Sequence, residues 1–482
     1  MILMKLTLMI KNVSFITNMK IPDALKEFAK IFKKNNYQLF LVGGALRDNL
    51  LGSPGSDYDF ATNATPEEIM KIFPKTIPVG IEHGTILVLY ESYQFEVTTF
   101  RADGKYSDYR RPDGVNFVRS IDEDLKRRDF TINAFAYDIN KKKLIDKFNG
   151  KKDLKKKIIK AIGNPDERFN EDALRMVRAV RFASKLDFSI ESETLASIEK
   201  NAALVENISK ERIRDELIKI MKTEKPSIAL EYMRKTGLMR YIIPELLYGF
   251  EVNQNRFHKY DVYYHNLFSC DAAPSDNYIV RIAALFHDIS KPQTKKEQDD
   301  NENSFYNHEI IGARVARTIL KRLKFSNEET RKISHLIKYH MFYYTEEWTD
   351  GAVRRFLKNV GVENLPDLFA LRDADRIGNG TKTGVPKTFI DFQDRIKRIL
   401  EIDGALKVGD LKIDGNVVMK EINIKPSKLV GEILNHLLEL VLDNPELNVA
   451  EKLIEKTKEY YEKKKNYSLE NYGKPPEDLG EF

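Results

Sequence analysis

Residues 41–62 read LVGGALRDNLLGSPGSDYDFAT. An apolar strand, YQLFLV, runs into Gly43-Gly44, and a helix over 45–51 follows. Two glycines permit close backbone approach, and a helix N-terminus favours a phosphate. A Gly-Gly turn alone is common. Here Asp57 and Asp59 come next, two residues apart on an apolar strand, which points both carboxylates to one sheet face. Two anionic oxygens side by side repel unless a cation lies between them. Mg²⁺ bridging carboxylates to a triphosphate meets that demand. Glu96, in the alternating FEVTTF, is a candidate third carboxylate, against the plainer reading of an ordinary strand-face glutamate.

Around this stretch, residues 22–36 show helical spacing of Leu25, Phe28, Ala29 and Phe32. Short apolar runs at 57–61, 84–90 and 93–99 read as strands, and 65–72 as a helix. The mixture predicts an α/β unit over about 20–150. From 165 onward the strand signals nearly vanish. Amphipathic patterns cover Glu171–Leu186, Thr194–Ala203, Ser209–Met221 and much of 265–345. Residues 380–405 read as a linker into a last helical segment, about 406–465, and KNYSLENYGKPPEDLGEF, 465–482, as a frayed tail. The opening MILMKLTLMIKNVSFITN faintly suggests a signal peptide, but Lys5 and Lys11 interrupt it and no small-residue cleavage site follows. It reads as a leader over 1–20, with an alternative start at Met19.

At 482 residues, about three domains are expected. Hydrophobic residues at 42% and charged residues at 32% indicate a globular chain rather than a disordered one. No apolar run is long enough for a membrane span. The single cysteine, Cys270, excludes an internal disulfide and a multi-cysteine zinc site, and suits the cytoplasm. The net charge of +6 is too mild to prove a nucleic-acid partner. Its distribution says more: residues 141–160 hold ten lysines and two aspartates, a local +8. That run is either a solvated face or a phosphate-backbone contact.

Two further segments carry chemistry. In RRDFTINAFAY, 127–137, Arg128 is suited to clamp phosphate oxygens and Asn133 to touch a ribose hydroxyl. In EDALRMVRAVRF, 171–182, Asp172, Arg175, Arg178 and Arg181 recur every three residues and fan along one side of a helix. Three arginines on one face repel unless something anionic lies there. Alternatively they form a salt-bridged exposed face.

Together these segments resemble, in order, the motifs of the class II tRNA nucleotidyltransferase family: CCA-adding enzymes, their CC- and A-adding relatives, and bacterial poly(A) polymerases. Asp57 and Asp59 match its catalytic, metal-binding pair. Arg128, Asp129 and Asn133 match its ribose and triphosphate motif, and Asp172 and Arg175 its base-reading motif, while Gly44, Arg47, Arg178 and Arg181 complete the expected nucleotide site. Asp146 and Gly150 match the head-to-neck connector, and ISKERIRDEL, 208–217, the motif that steadies the neck. YSDYRRPDGV, 106–115, resembles the flexible loop that CC-only enzymes lack or shorten, with Arg110 and Arg111 in it. Residues 424–448 resemble the tRNA-contacting tail.

The resemblance implies an α+β fold: a DNA polymerase beta-like nucleotidyltransferase head, a mixed sheet with helices, over 21–150, then an all-helical remainder. That remainder divides into neck and body over 151–257, an HD domain over 258–385 and a tail over 386–482. It implies addition of CCA to tRNA 3′ ends from CTP and ATP with Mg²⁺, with Lys151, Lys152, Lys155 and Lys156 facing the acceptor stem. A-only addition and poly(A) synthesis are the near alternatives. For base choice, Asp172 and Arg175, three apart on a helix, present an acceptor and a donor side by side. That pattern matches the amine and ring nitrogen shared by cytosine and adenine. The plainer reading is an i, i+3 salt bridge, worth ~0.2–0.5 kcal/mol.

Five of the eight histidines fall between His265 and His340. The order His265, His287-Asp288, Asp375, with His308 and His340 between, is that of an HD-type site for a divalent transition metal. AALFHDISKP resembles the HD superfamily. A decayed scaffold is the plainer alternative, and a metal phosphohydrolase the more distant functional one. The DADR context, 373–376, favours Asp375 over Asp373. His83, His258 and His436 read as structural.

Overall fold

The structure, a computed structural model, describes residues 21–53, 55, 57–103, 115–254, 258–297, 303–381, 384, 386–402 and 407–470. The leader, the loop with Arg110 and Arg111, and residues 471–482 lie outside the described residues.

The chain enters a seven-stranded mixed sheet. Its strands are β1 (Leu39–Val42), β2 (Asp59–Thr62), β3 (Thr76–Gly80), β4 (Thr85–Tyr90) and β5 (Tyr93–Thr99). After a short separate ribbon, β6 (Arg101–Asp103) with β7 (Val115–Phe117), come β8 (Phe135–Asp138) and β9 (Lys143–Asp146). The order is β3-β4-β5-β2-β1-β8-β9, with β2 and β5 parallel and the other pairs antiparallel.

Period-two burial sorts the strand residues. On one face, Phe60 and Phe95 pack on Phe28 of the helix Asp23–Lys34, and Phe73 packs on Phe32 and stacks on Phe28 at 4.9 Å. On the other, Phe40, Val42, Ala61 and Ala136 meet Phe100, Ile121 and Leu125. Asp59, adjacent to Phe60, therefore faces away from the aromatic core.

Beyond the sheet the chain is helical. The helix Leu174–Leu186 is buried along nearly its whole length, and it packs on Lys210–Met221 and Pro226–Lys235. The stretch expected as a linker over 380–405 instead contains a 16-residue helix, Lys387–Ile402. Its Phe389, Phe392, Ile396 and Ile399 repeat at helical spacing and are buried, three of them in the main core. Aromatic packing on Phe342, Trp348, Phe356 and Phe369 overrides the expectation. The tail has its own core, from Leu411 to Leu453, and docks through Arg355 and Lys358 on Glu439. The last helix runs to Glu470, into the segment expected to fray from 465. Among the described residues, no helix is long and apolar enough to cross a membrane.

Candidate functional site

Where β1 ends, Gly43 takes φ +75°, a left-handed conformation that L side chains rarely adopt. A Cβ there would also overlap the Asp59 carboxylate. This glycine thus serves both the turn into the helix Gly43–Leu50 and the space for Asp59. Asp59 opens β2, opposite Val42 on one side and Glu96 on the other. Asp57, exposed, joins it on the wall of the same cavity, while Tyr58 between them turns into the core. Burial, Glu96 and Asp57 push the Asp59 carboxyl up to about 6, with Arg128 only partly opposing them. Three carboxylates with too little local compensation are the donor set a hard divalent cation fits.

The cavity encloses about 1000 Å³ between head and neck. Eight arginines and two lysines line it against four aspartates, so it suits a polyanion. Most of these arginines are held. Arg47, 2% exposed, donates to Asn133 Oδ1 at 2.7 Å and to Asp48 at 2.8 Å. Arg178 donates twice to Asp129 Oδ2, at 2.8 and 2.6 Å. Arg181 reaches Glu216 at 2.5 Å. All three guanidiniums surround the Phe182 ring, at 5.2, 5.4 and 4.2 Å from its centroid. Asp129 also accepts from the Phe130 amide and from Asn133 Nδ2. Burial opposes its ionisation, yet Arg178 and these donors hold it down at about 2. It anchors the arginine wall rather than presenting a free carboxylate.

The second cluster lies in the helical body. His265 sits in the helix Val262–Ala272 and His287-Asp288 follow Tyr278–Phe286. His308 begins His308–Arg322, His340 ends Asn327–Tyr339, and Asp375 lies in Leu365–Gly378. All six are buried. His265 Nε2 lies 3.3 Å from Asp288 Oδ2 and 3.2 Å from Asp375 Oδ1. His287 Nε2 lies 3.3 and 3.5 Å from the same two oxygens. Burial opposes the charge on Asp288, but His287 and Lys291 hold it well below the ordinary carboxylate range. His265 Nδ1 and Asp288 Oδ1 are buried without a hydrogen-bond partner among the described residues. Convergent imidazoles, carboxylates and an unsatisfied oxygen fit a divalent transition metal.

Three family models match the chain. They are the Poly A polymerase head domain over residues 39–160, the "Probable RNA and SrmB- binding site of polymerase A" over 187–249, and the HD domain over 263–380. A CCA-adding enzyme of Ligilactobacillus salivarius is 36% identical over 447 residues, spanning 92% of this chain and 98% of that enzyme. The chain belongs to the CCA-adding enzyme family. Another member, from Enterococcus faecalis, is 55% identical over 204 residues, 42% of this chain and 50% of that enzyme. The crystal structure of the Bacillus stearothermophilus CCA-adding enzyme in complex with CTP is similar at a TM-score of 0.71 and 30% identity. It covers 93% of this chain and 100% of its own. The chain is thus a nucleotidyltransferase with a mixed-sheet head, helical neck and body, and HD domain.

Within this family frame, one expected pairing differs. The predicted helix Glu171–Leu186 breaks: Pro165–Glu171 ends, Asp172 is extended at φ −145°, and Leu174–Leu186 begins anew. Asp172 and Arg175 therefore do not stand side by side. Asp172 instead takes a two-point bond from Arg212, at 3.2 and 2.8 Å. Arg175 turns to Glu171 at 2.5 Å and to the Arg127 and Arg168 carbonyls. The simple i, i+3 salt bridge is equally absent, and both residues still line the cavity. Arg128, expected on phosphate, contacts Asp124 Oδ2 and the Asn133 carbonyl, each at 3.4 Å, at the cavity wall. Gly44 lines the cavity as expected.

His83, read as structural, also lines it, and His258 packs edge-on to His265 at 5.2 Å. Asp146 accepts from the Gly150 and Lys151 amides, fixing the connector to the neck. Lys152, Lys155 and Lys156 are exposed and Lys151 is half-buried on the helix Gly150–Lys156. Residue-by-residue reading missed Arg212 and Lys219 as cavity residues and Glu216 as the partner of Arg181. Their i, i+4, i+7 spacing, a single stripe of one helix, was the available signal.

Proposed function

We propose that this chain completes tRNA 3′ ends with CCA, from CTP and ATP and without a nucleic-acid template, in the cationic cavity between head and neck. The observation that carries the reading is the convergence there of the Asp57–Asp59 pair, the Gly43-Gly44 turn and the arginine wall. The 3′-hydroxyl oxygen attacks the α-phosphorus of the nucleotide, and pyrophosphate leaves. Asp57 and Asp59 hold Mg²⁺, which when bound supplies activation of the hydroxyl and charge neutralisation on the leaving group. Gly44 lets the triphosphate approach the backbone. Arg47, Arg178 and Arg181 form a fixed positive wall, and Asp129 and Asn133 keep it in place. Asp172 and Arg175 face the base from separate anchors, Arg212 and Glu171, on the cavity wall rather than as a side-by-side pair. Lys151, Lys152, Lys155 and Lys156 meet acceptor-stem phosphates, reading shape rather than sequence. A lone, buried cysteine is consistent with a cytoplasmic site of action.

The test is incubation of the purified chain with labelled CTP and ATP and a tRNA lacking CCA, followed by product sequencing. Products ending in CCA support the reading. A-only additions or long A runs point to the sibling activities and overturn it.

The HD cluster supports a second, separate activity: phosphoester hydrolysis at a divalent transition metal. His287→Ala with Asp288→Ala is expected to remove bound transition metal and any phosphohydrolase activity. CCA addition should continue, because its chemistry resides in the head. Parent protein with neither metal nor hydrolase activity would identify the cluster as a relic.

A further inference from the structure

Among the described residues that line the cationic cavity, Phe182 is the only phenyl ring. It is 5% exposed and meets Phe130 edge to face at 5.9 Å. The guanidinium carbons of Arg181, Arg47 and Arg178 lie 4.2, 5.2 and 5.4 Å from its centroid. All three fall within the distance at which the ring quadrupole attracts a cation. Two of them share its helix, Leu174–Leu186: Arg178 four residues earlier, on the same face, and Arg181 next to it. The third belongs to the head, on the helix Gly43–Leu50. The ring is therefore where cations of head and neck meet.

Crowding these cations is unfavourable. Burial, with Arg178 adding to it, holds the Arg181 guanidinium below its ordinary range although Glu216 opposes the shift. Asp48, Asp129 and Glu216 each accept from one of the arginines. The Phe182 ring is the neighbour that all three share, and in a desolvated wall a cation over a ring is worth more than at an exposed surface. The plainer reading is an apolar filler packed on Phe130. A leucine would serve that role, and apolar packing gives no reason for three guanidiniums to converge on the ring.

We propose that Phe182 is a positioning residue for nucleotide addition, whose ring gathers Arg47 of the head and Arg178 and Arg181 of the neck into one triphosphate-binding set through cation–π attraction. The inference rests on the cavity being the nucleotide site. Phe182 acts through the arginines on phosphate oxygens, not on the base or the tRNA. Its loss therefore weakens CTP and ATP alike.

The test replaces Phe182 in the full chain with mono-, di- and trifluorophenylalanine. Fluorine withdraws charge from the ring face step by step and scarcely changes its shape. The KM values for CTP and ATP are expected to rise in step with fluorine number, reaching about tenfold at the trifluoro ring. Inhibition by inorganic triphosphate should weaken in parallel, while the KM for tRNA lacking CCA stays at the parent value. Phe182→Leu should match the trifluoro ring. Thermal melts confirm that each variant is folded at the assay temperature, and the fluorinated series remains decisive if the leucine variant is not. A flat series in a chain that adds CCA overturns the positioning role and leaves Phe182 as packing. A rise shared equally by nucleotide and tRNA also overturns it. A parent chain that adds no CCA overturns instead the function on which the inference rests.

Discussion

Asp59→Asn lowers nucleotide addition by roughly 10³-fold or more while tRNA binding stays close to that of the parent. Removing one metal-holding carboxylate forfeits transition-state charge stabilisation of roughly 3–4 kcal/mol. The lysines proposed to meet the acceptor stem are untouched. Single-turnover rates and a filter-binding titration separate the two quantities, and a variant keeping more than about a tenth of the parent rate would overturn the metal assignment.

The same variant has a stability signature. The Asp59 carboxyl titrates at about 6 in the folded chain, pushed up by burial, Glu96 and Asp57. That lies above its value of about 4 in an unfolded chain. Ionisation therefore opposes folding: the penalty is absent below about pH 4, grows between 4 and 6, and is complete above 6. Without divalent ions, Asp59→Asn should exceed the parent in stability by roughly 2 kcal/mol at pH 8, a gain that vanishes towards pH 4. Thermal melts at the two pH values, with chelator present, measure it.

Asp172→Ala collapses nucleotide choice. Cytosine and adenine present an amine donor beside a ring-nitrogen acceptor, whereas uracil and guanine present the reverse. The half-buried Asp172 carboxylate is expected to accept from the amine and to set oxygen against the carbonyl of the wrong base. A site built this way rejects by roughly 10⁴–10⁵, because a mismatch leaves buried polar groups unpaired. Loss of the carboxylate should remove about 10²-fold or more of the CTP-over-UTP preference. The competing role is structural, since Asp172 also anchors Arg212. A variant with a lower Tm but an unchanged nucleotide ranking would assign Asp172 to that anchor alone. Competition assays with paired nucleotides, beside thermal melts, distinguish the outcomes.

Local patterns carried the head into view. Gly43-Gly44, the Asp57–Asp59 spacing and the strand alternation are short-range features set by backbone sterics and period-two burial. The HD histidines were legible because order along the chain preserved their identity. What escaped was tertiary. The break at Asp172 has no glycine or proline to mark it, and Arg212, 40 residues away, holds that residue in place. The grouping of three guanidiniums around Phe182 combines two helices distant in sequence. The helix Lys387–Ile402 is flanked by Pro386 and Gly404, ordinary start and stop signals that also suit a linker, and its aromatic face finds partners only in the folded body.

The arginine wall also bears on affinity. Arg178 is fixed by Asp129, Arg181 by Glu216, Arg175 by Glu171 and Arg212 by Asp172. Freezing a long side chain at a binding site costs roughly 0.5–1.5 kcal/mol each time a ligand arrives. Here that ordering is completed during folding, by carboxylates belonging to the chain itself. An incoming triphosphate meets cations already in position, with their charge partly neutralised. Nucleotide binding therefore draws on a cationic surface that is ordered before the ligand arrives, so little side-chain ordering opposes it.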